Sequence, residues 1–195
     1  MIIVFGGAFN PPTIAHKEIY YLIKKHVDFE RFLYLPVSNK YHKSSLIDDH
    51  YRVDMLNLLI KDLDLAKICL IEVNDSKYLG TYKSLLRIKS EYKRHPVAFV
   101  IGSDNLLSLN NWINAKMLIA KFKFIVIKRD EDNVEEIISN NELLNAHAKN
   151  FKVIPGLIQT VSSSAFRKSL DPAYVTDEIF QYITKNNLYR GNKNV

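Results

Sequence analysis

Apolar residues along this chain fall into short unbroken runs, separated by stretches in which they recur every three or four positions. The runs Ile2–Phe5, Phe32–Leu35, Ile68–Glu72, Val97–Ile101, Phe124–Ile127 and Phe151–Ile154 read as strands, because a strand covered on both faces shows continuous rather than alternating apolar character. The intervening stretches read as helices. Ile14 to Lys25 sets Ile19, Leu22 and Ile23 on one face, and Asp49 to Leu63 sets Val53, Leu56, Leu59, Ile60 and Leu63 on another. Further helices are predicted over Thr81 to Tyr92, Trp112 to Ala120, Asn133 to Ser139, Ser163 to Leu170 and Thr176 to Asn187.

Strands alternating with helices predict an α/β fold with a doubly wound, mainly parallel sheet, since parallel neighbours need a crossover and that crossover is right-handed. No internal repeat or low-complexity linker breaks the series, and 195 residues suit one domain, 1–195. In such sheets ligands bind beyond the carboxyl ends of the strands, where the strand order reverses. The chemistry is therefore sought just after each strand.

Composition narrows the function classes. Hydrophobic residues make up 47% of the chain, but no run of about 18 apolar residues exists to cross a bilayer. The first strand leads directly into Gly6 with no basic leader or cleavage site, so a soluble, cytoplasmic protein is expected. Cys69, the one cysteine, sits in an apolar run and reads as a buried strand thiol without a redox role. Lys plus Arg exceeds Asp plus Glu by 27 − 21 = 6, which suits a polyanionic partner. The basic residues are scattered, the densest group being Lys83, Arg87, Lys89, Lys93, Arg94 and His95. Charge alone does not choose among nucleotide, nucleic acid and membrane surface; no aromatic-interleaved RNA-binding signature accompanies these residues, and neither nucleic acid nor membrane is expected as a partner.

The segment after the first strand carries the most chemistry. Gly6 and Gly7 precede Ala8-Phe9-Asn10-Pro11-Pro12-Thr13-Ile14-Ala15-His16. Glycines admit a ligand close to the backbone, and a helix start offers unpaired N–H groups to phosphate. The spacing fits neither the G-x-G-x-x-G fingerprint nor the G-x-x-x-x-G-K-[ST] loop. Instead Gly-x-Phe-Asn-Pro-x-Thr-x-x-His resembles the (His/Thr)-x-x-His signature of the nucleotidyltransferase superfamily. Leu35-Pro36 with His42-Lys43, the block from Arg52 to Leu56, Ile101-Gly102-Ser103-Asp104 with Leu109 and Trp112, Val161 to Arg167, and Tyr182-Ile183 with Leu188-Tyr189 are similar, in order and spacing, to blocks of the bacterial nicotinate mononucleotide adenylyltransferases. The resemblance spans nearly the whole chain. Thr13 stands where many bacterial members have a first histidine, Asn10 replaces a common Asp, and Val37 occupies a place where Asn is frequent; the first two resemble the nicotinamide mononucleotide branch.

The resemblance implies a Rossmann-like nucleotidyltransferase that moves AMP from ATP to nicotinate mononucleotide, giving deamido-NAD and pyrophosphate. A related transferase acting on nicotinamide mononucleotide or phosphopantetheine, and a non-catalytic nucleotide-binding module, are the alternatives. Adenylyl transfer needs positioning and charge stabilisation more than a side-chain nucleophile, because the attacking phosphate is already ionised. Donors and cations are what such a site must supply. His16, in the first turn of its helix, is expected to be a neutral donor to the α-phosphate, or else a histidine packed at a helix start. Thr13 caps that helix or touches ligand. Ser163 and Arg167, four apart, share a helix face, and the family reading has Ser163, Ser164 and Arg167 grip the outer phosphates. Lys43 is expected to reach the same phosphates, or to be a solvated loop lysine.

ATP is further expected against Gly6, Gly7, Ala8, Phe9, Gly102 and Asp104, the last accepting from a ribose hydroxyl or capping the next turn. The pyridine nucleotide is assigned to Gly7, Asn10, His42, Thr81, Arg129 and Trp112, whose ring either stacks on the pyridine or packs in the core. Asp48-Asp49-His50 offers metal-ligand types, but adjacent residues at a helix start rarely meet at one centre, and no protein-held metal is expected. Mg²⁺ is expected to arrive on ATP with most of its waters. A homo-oligomer is left open.

Overall fold

Six parallel strands form one sheet in the order β3-β2-β1-β4-β5-β6, in the computed structural model, which describes residues 1–40, 46–129, 132–156 and 161–190. The strands are β1 (Ile2–Gly7), β2 (Arg31–Pro36), β3 (Ala66–Ile68), β4 (Val97–Gly102), β5 (Lys123–Ile127) and β6 (Phe151–Ile154). This is the doubly wound order, and it reverses direction between β1 and β4, so a crevice opens at their carboxyl ends.

Alternate residues of each strand feed two cores. Ile2, Val4, Leu33, Phe99 and Phe124 pack under α3 (Thr81–Glu91), α4 (Ala115–Lys121), α5 (Val134–Ser139) and α6 (Glu142–Ala146). Ile3, Phe32, Tyr34, Val100 and Ile125 pack under α1 (Ile14–His26), α2 (Asp49–Ile60), α7 (Ser163–Ser169) and α8 (Asp177–Lys185). The period-2 alternation thus sorts one continuous apolar run onto two helical layers.

Several expected elements change extent. The run Ile68–Glu72 contributes only Ile68 to a strand: β3 is the three-residue edge Ala66–Ile68, and the chain turns over residues 71–74 with Asn74 N–H donating to the Leu70 carbonyl. That turn carries Glu72 away from the sheet, into contact with α3. Cys69 consequently lies half-buried beyond the strand rather than buried within it, though its N–H still donates to the Tyr34 carbonyl at 2.8 Å. The helix expected from Trp112 begins at Ala115. Before it, Ser103–Asn111 forms a 3₁₀ segment capped by Trp112, whose N–H donates to the Leu109 carbonyl.

The buried face of α2 is Arg52, Met55, Leu56 and Leu59, rotated from the expected Val53 face. An arginine occupies a core position because loop carbonyls surround it: Nη1 donates to the Ala8 carbonyl at 2.6 Å, Nη2 to the Val37 carbonyl at 2.6 Å, and Nε to the Ile47 carbonyl at 3.1 Å. Asn39 Oδ1 and Asp49 accept from Nη2 as well. A guanidinium is the one side chain with enough fixed donors for such a ring of acceptors. Among the described residues no helix is long and apolar enough to cross a membrane.

Candidate active site

The crevice at the β1/β4 reversal has two lobes that share Gly6, Gly7, Phe99, Asn105 and Trp112. The first, about 460 Å³, opens towards β2 and α3 and is bounded also by Val37, Glu72, Tyr78 and Thr81. The second, about 380 Å³, opens towards β5 and α7 and is bounded by Thr13, His16, Gly102, Arg129 and Ser162 to Ser164. Both fall within the roughly 300–1,000 Å³ of small-molecule sites. Glu72, Tyr78, Thr81 and Asn111 belong to the first lobe alone. Thr13, His16, Arg129 and the Ser162 to Ser164 hydroxyls belong to the second alone, among apolar residues such as Phe5, Ile19 and Ile127.

Glycine at the shared floor is a matter of space. A Cβ on Gly6 would stand 2.9 Å from the Phe99 ring, and one on Gly102 would stand 2.3 Å from Asp104 Oδ1 and 2.8 Å from Arg129 Nε. Any side chain at 102 would therefore displace the Asp104–Arg129 pair, whose Oδ1 and Nε lie 3.4 Å apart at the mouth of the second lobe.

His16 owes its state to the first turn of α1. The Thr13 backbone N–H donates to Nδ1 at 2.8 Å, and Thr13 Oγ1 lies 2.8 Å from the same nitrogen. Because Nδ1 accepts from an N–H, it carries no proton, and the neutral ring holds its proton on Nε2. Phe5 and Phe9 pack against the imidazole at centroid distances of 5.9 and 5.1 Å. Burial is the main cause that lowers the His16 pKa to about 4, with the nearby Arg129 charge acting in the same direction. Thr13 is fully buried and is the N-cap of α1.

The amino end of α7 is pinned to the first loop across the length of the chain. Ser163 Oγ donates to the Pro11 carbonyl at 2.8 Å and Arg167 Nη1 to the Asn10 carbonyl at 2.7 Å. Ser162 caps α7, accepting from the Ala165 N–H. These bonds seat Ser163 and Ser164 in the wall of the His16 lobe.

The expected residues separate into three groups. Gly6, Gly7, Ala8, Thr81 and Trp112 line the first lobe; Gly6, Gly7, Thr13, His16, Gly102, Ser163, Ser164 and, again, Trp112 line the second. Arg129, grouped from sequence with the pyridine contacts, lies with His16, apart from Thr81. Trp112 stands at the junction, edge-on to Phe99 at 6.1 Å. Phe9, Asn10, Asp104 and Arg167 line neither lobe. Phe9 lies beneath His16, and Asn10 is buried, its Oδ1 accepting from Tyr189 at 2.9 Å. Asp104 is more than half exposed and pairs with Arg129. Lys43 and His42 lie outside the described residues. Asp49, from the acidic cluster, is bound by Arg52 and by the Asn39 N–H.

Val37, Glu72, Tyr78, Asn105 and Asn111 line the first lobe without having been singled out as contacts. Glu72 had a sequence signal, a carboxylate ending an apolar run. Its Oε1 accepts from Ser84 at 2.6 Å, its Oε2 has no partner, and burial raises its pKa.

Residues 4–169 match the cytidylyltransferase-like family model. A probable nicotinate-nucleotide adenylyltransferase of Acholeplasma laidlawii is 31% identical over 97% of this chain and 97% of its own length. A nicotinamide/nicotinic acid mononucleotide adenylyltransferase of Arabidopsis thaliana is 28% identical over 97% of this chain and 90% of its own. Among solved structures, the Plasmodium falciparum nicotinic acid mononucleotide adenylyltransferase complexed with NaAD matches the fold with a TM-score of 0.80, at 24% identity over 99% of this chain and 98% of that one. The chain belongs to the cytidylyltransferase-like family and, within it, to the nicotinate-nucleotide adenylyltransferases.

Proposed function

We propose that the chain transfers the adenylyl group of ATP to nicotinate mononucleotide. A phosphate oxygen of the mononucleotide bonds to the α-phosphorus, the bond from that phosphorus to the bridging oxygen breaks, and pyrophosphate departs with the electron pair. Deamido-NAD is the other product. The observation that carries this reading is the pair of lobes meeting over Gly6 and Gly7, one lined by donors around a neutral His16 and the other by Trp112, Tyr78 and Thr81. ATP takes the donor lobe and the pyridine mononucleotide its neighbour, so their reacting atoms meet where the backbone lacks side chains.

His16 Nε2–H stabilises charge on the α-phosphate without adding a cation, and the Ser164 hydroxyl holds the outer phosphates, while Ser163 fixes the start of α7 through the Pro11 carbonyl. Arg167 keeps the Asn10 carbonyl through Nη1 and has other donors to turn towards the departing pyrophosphate. Lys43 and His42 are assigned to the phosphates and the acceptor on the strength of the family motif. The polar lining of the donor lobe is hydroxyls, imidazole and guanidinium rather than clustered carboxylates. Such a lining fits Mg²⁺ that enters on ATP with phosphate and water oxygens as ligands, where it neutralises charge on the phosphates.

Purified protein with ATP and Mg²⁺, offered nicotinate mononucleotide, nicotinamide mononucleotide and phosphopantetheine in turn and followed by pyrophosphate release, tests the reading. The fastest turnover is expected with nicotinate mononucleotide. Absence of turnover with both pyridine mononucleotides overturns it.

A further inference from the structure

Three consecutive residues at the end of β4, Gly102, Ser103 and Asp104, converge on Arg129. Arg129 is the one permanently charged side chain among the described residues lining the second lobe, and a triphosphate calls for charge of that sign. Asp104 is the only partner of its guanidinium among the described residues, with Oδ1 3.4 Å from Nε, so the donors on Nη1 and Nη2 stay free. Ser103 holds the backbone instead. Its hydroxyl, fully buried, accepts from the Arg129 N–H at 2.9 Å and donates to Asp132 Oδ2 at 2.5 Å. The Asp132 N–H donates in turn to the Arg129 carbonyl at 3.1 Å, which closes the ring on Arg129.

The ring stands in for sheet pairing. Successive N–H groups of a strand point to opposite neighbours, and the Lys128 N–H donates to the Ile154 carbonyl of β6 at 3.1 Å, so the Arg129 N–H faces the β4 side. By then β4 has ended, because Gly102 pairs with Ile127 and the chain enters the 3₁₀ segment at Ser103. A side-chain oxygen therefore takes the place of the next backbone acceptor, which an N–H shielded from water requires. The bond from the hydroxyl to the Asp132 carboxylate is charge-assisted and fixes its rotation, leaving a lone pair aimed at Arg129. Gly102 completes the arrangement, since a Cβ there would stand in the Asp104–Arg129 pair.

We propose that Ser103 is a positioning residue for ATP, its hydroxyl holding the Arg129 backbone beyond the end of β5 so that the guanidinium meets the nucleotide in the second lobe. This rests on the adenylyl-transfer reading, which places ATP there. Asp132 fixes the hydroxyl and Asp104 fixes the Nε edge, so the arginine is held at both ends before ligand arrives. Such ordering in advance spares the entropy of immobilising a long side chain on binding. Arg129 does not line the first lobe, so the pyridine mononucleotide gains nothing from Ser103.

The test is the dissociation constant of a non-hydrolysable ATP analogue, measured by calorimetry without an acceptor. Ser103→Ala is expected to weaken binding by about tenfold, the value of one hydrogen bond, while the KM for nicotinate mononucleotide stays within about twofold. Asp132→Asn, whose amide oxygen still accepts from the hydroxyl, is expected to bind the analogue like the wild type. Arg129→Ala is expected to weaken binding by at least about tenfold, and adding Ser103→Ala to it to weaken binding by less than about twofold more, since Ser103 acts through Arg129. Should Ser103→Ala not fold, Asp132→Ala takes its place in the same cycle, with a loss of about threefold expected from the freed hydroxyl. Additive losses overturn the proposal. So does an unchanged dissociation constant in the variant, or an equal rise in the mononucleotide KM, which would mark a general loss of structure. A wild type that binds the analogue but turns over neither pyridine mononucleotide defeats the adenylyl-transfer reading and leaves the cycle to decide on Ser103.

Discussion

A histidine that gains its second proton only near pH 4 is a hydrogen-bond donor rather than a cation throughout the neutral range. His16 reaches that state through burial, with the Arg129 charge acting the same way, while the Thr13 N–H on Nδ1 fixes the remaining proton on Nε2; both are local enough to test by substitution. His16→Ala is expected to lower turnover by at least about a hundredfold, with modest loss of ATP affinity, the size usual for a donor acting in the transition state; kcat and the ATP dissociation constant, measured separately, check this. NMR titration of the ring should give a midpoint near 4 in place of the unperturbed value of about 6.5. The sign for stability follows: the folded ring resists a proton that the unfolded ring accepts. The stability tied to His16 is complete above about pH 6.5 and is lost as pH falls through the folded midpoint, by at most about 3 kcal/mol. Urea unfolding of wild type and His16→Ala at pH 7 and at pH 4.5 reads the difference.

At the scale of elements, the crevice depends on loops held from below. Arg52 joins the loop after β1 to the loop after β2 through the Ala8 and Val37 carbonyls and to the start of α2 through Ile47 and Asp49. Arg52→Ala would leave those acceptors buried without donors, and Arg52→Lys would replace a planar fork with one point charge. A loss of about 3 kcal/mol or more is expected for the alanine variant, measured by denaturant unfolding, with the lysine variant intermediate. The motif block from Arg52 to Leu56 marked this residue but not its burial, because an arginine within a helical period reads as a solvated position. Strands β1, β2, β4 and β5 were legible since each is an unbroken apolar run, and the glycine loop with Thr13 and His16 was legible because residue type and spacing together are specific. Ser103–Asn111 was not, its buried residues Ser103, Leu106 and Leu109 recurring every three positions, a 3₁₀ rather than an α-helical period. The reading of Ile68–Glu72 as a strand failed for a related reason: apolar content alone does not separate an edge strand from a chain turning inward to deliver Glu72.

The residues proposed to hold ligand lie far apart in sequence. The glycine loop and α7 are separated by some 150 residues, yet hydrogen bonds from Ser163 and Arg167 join them directly, a contact for which neither segment carries a local signal. Arg167→Ala is therefore expected to weaken nucleotide and pyrophosphate binding and also to lower the melting temperature, whereas a residue serving ligand alone would leave the unliganded melting point unchanged. A non-hydrolysable ATP analogue at a hundred times its dissociation constant should stabilise the fold by about 2.7 kcal/mol. Hydrogen exchange should then slow together over residues 6–16 and 163–167. The same bonds also set an order of events during synthesis. Translation delivers the Asn10 and Pro11 carbonyls at the outset and their partners 157 and 152 residues later. At about 5–20 residues per second, a nascent chain spends many seconds with its first loop made and the α7 side chains that bond to it not yet synthesised.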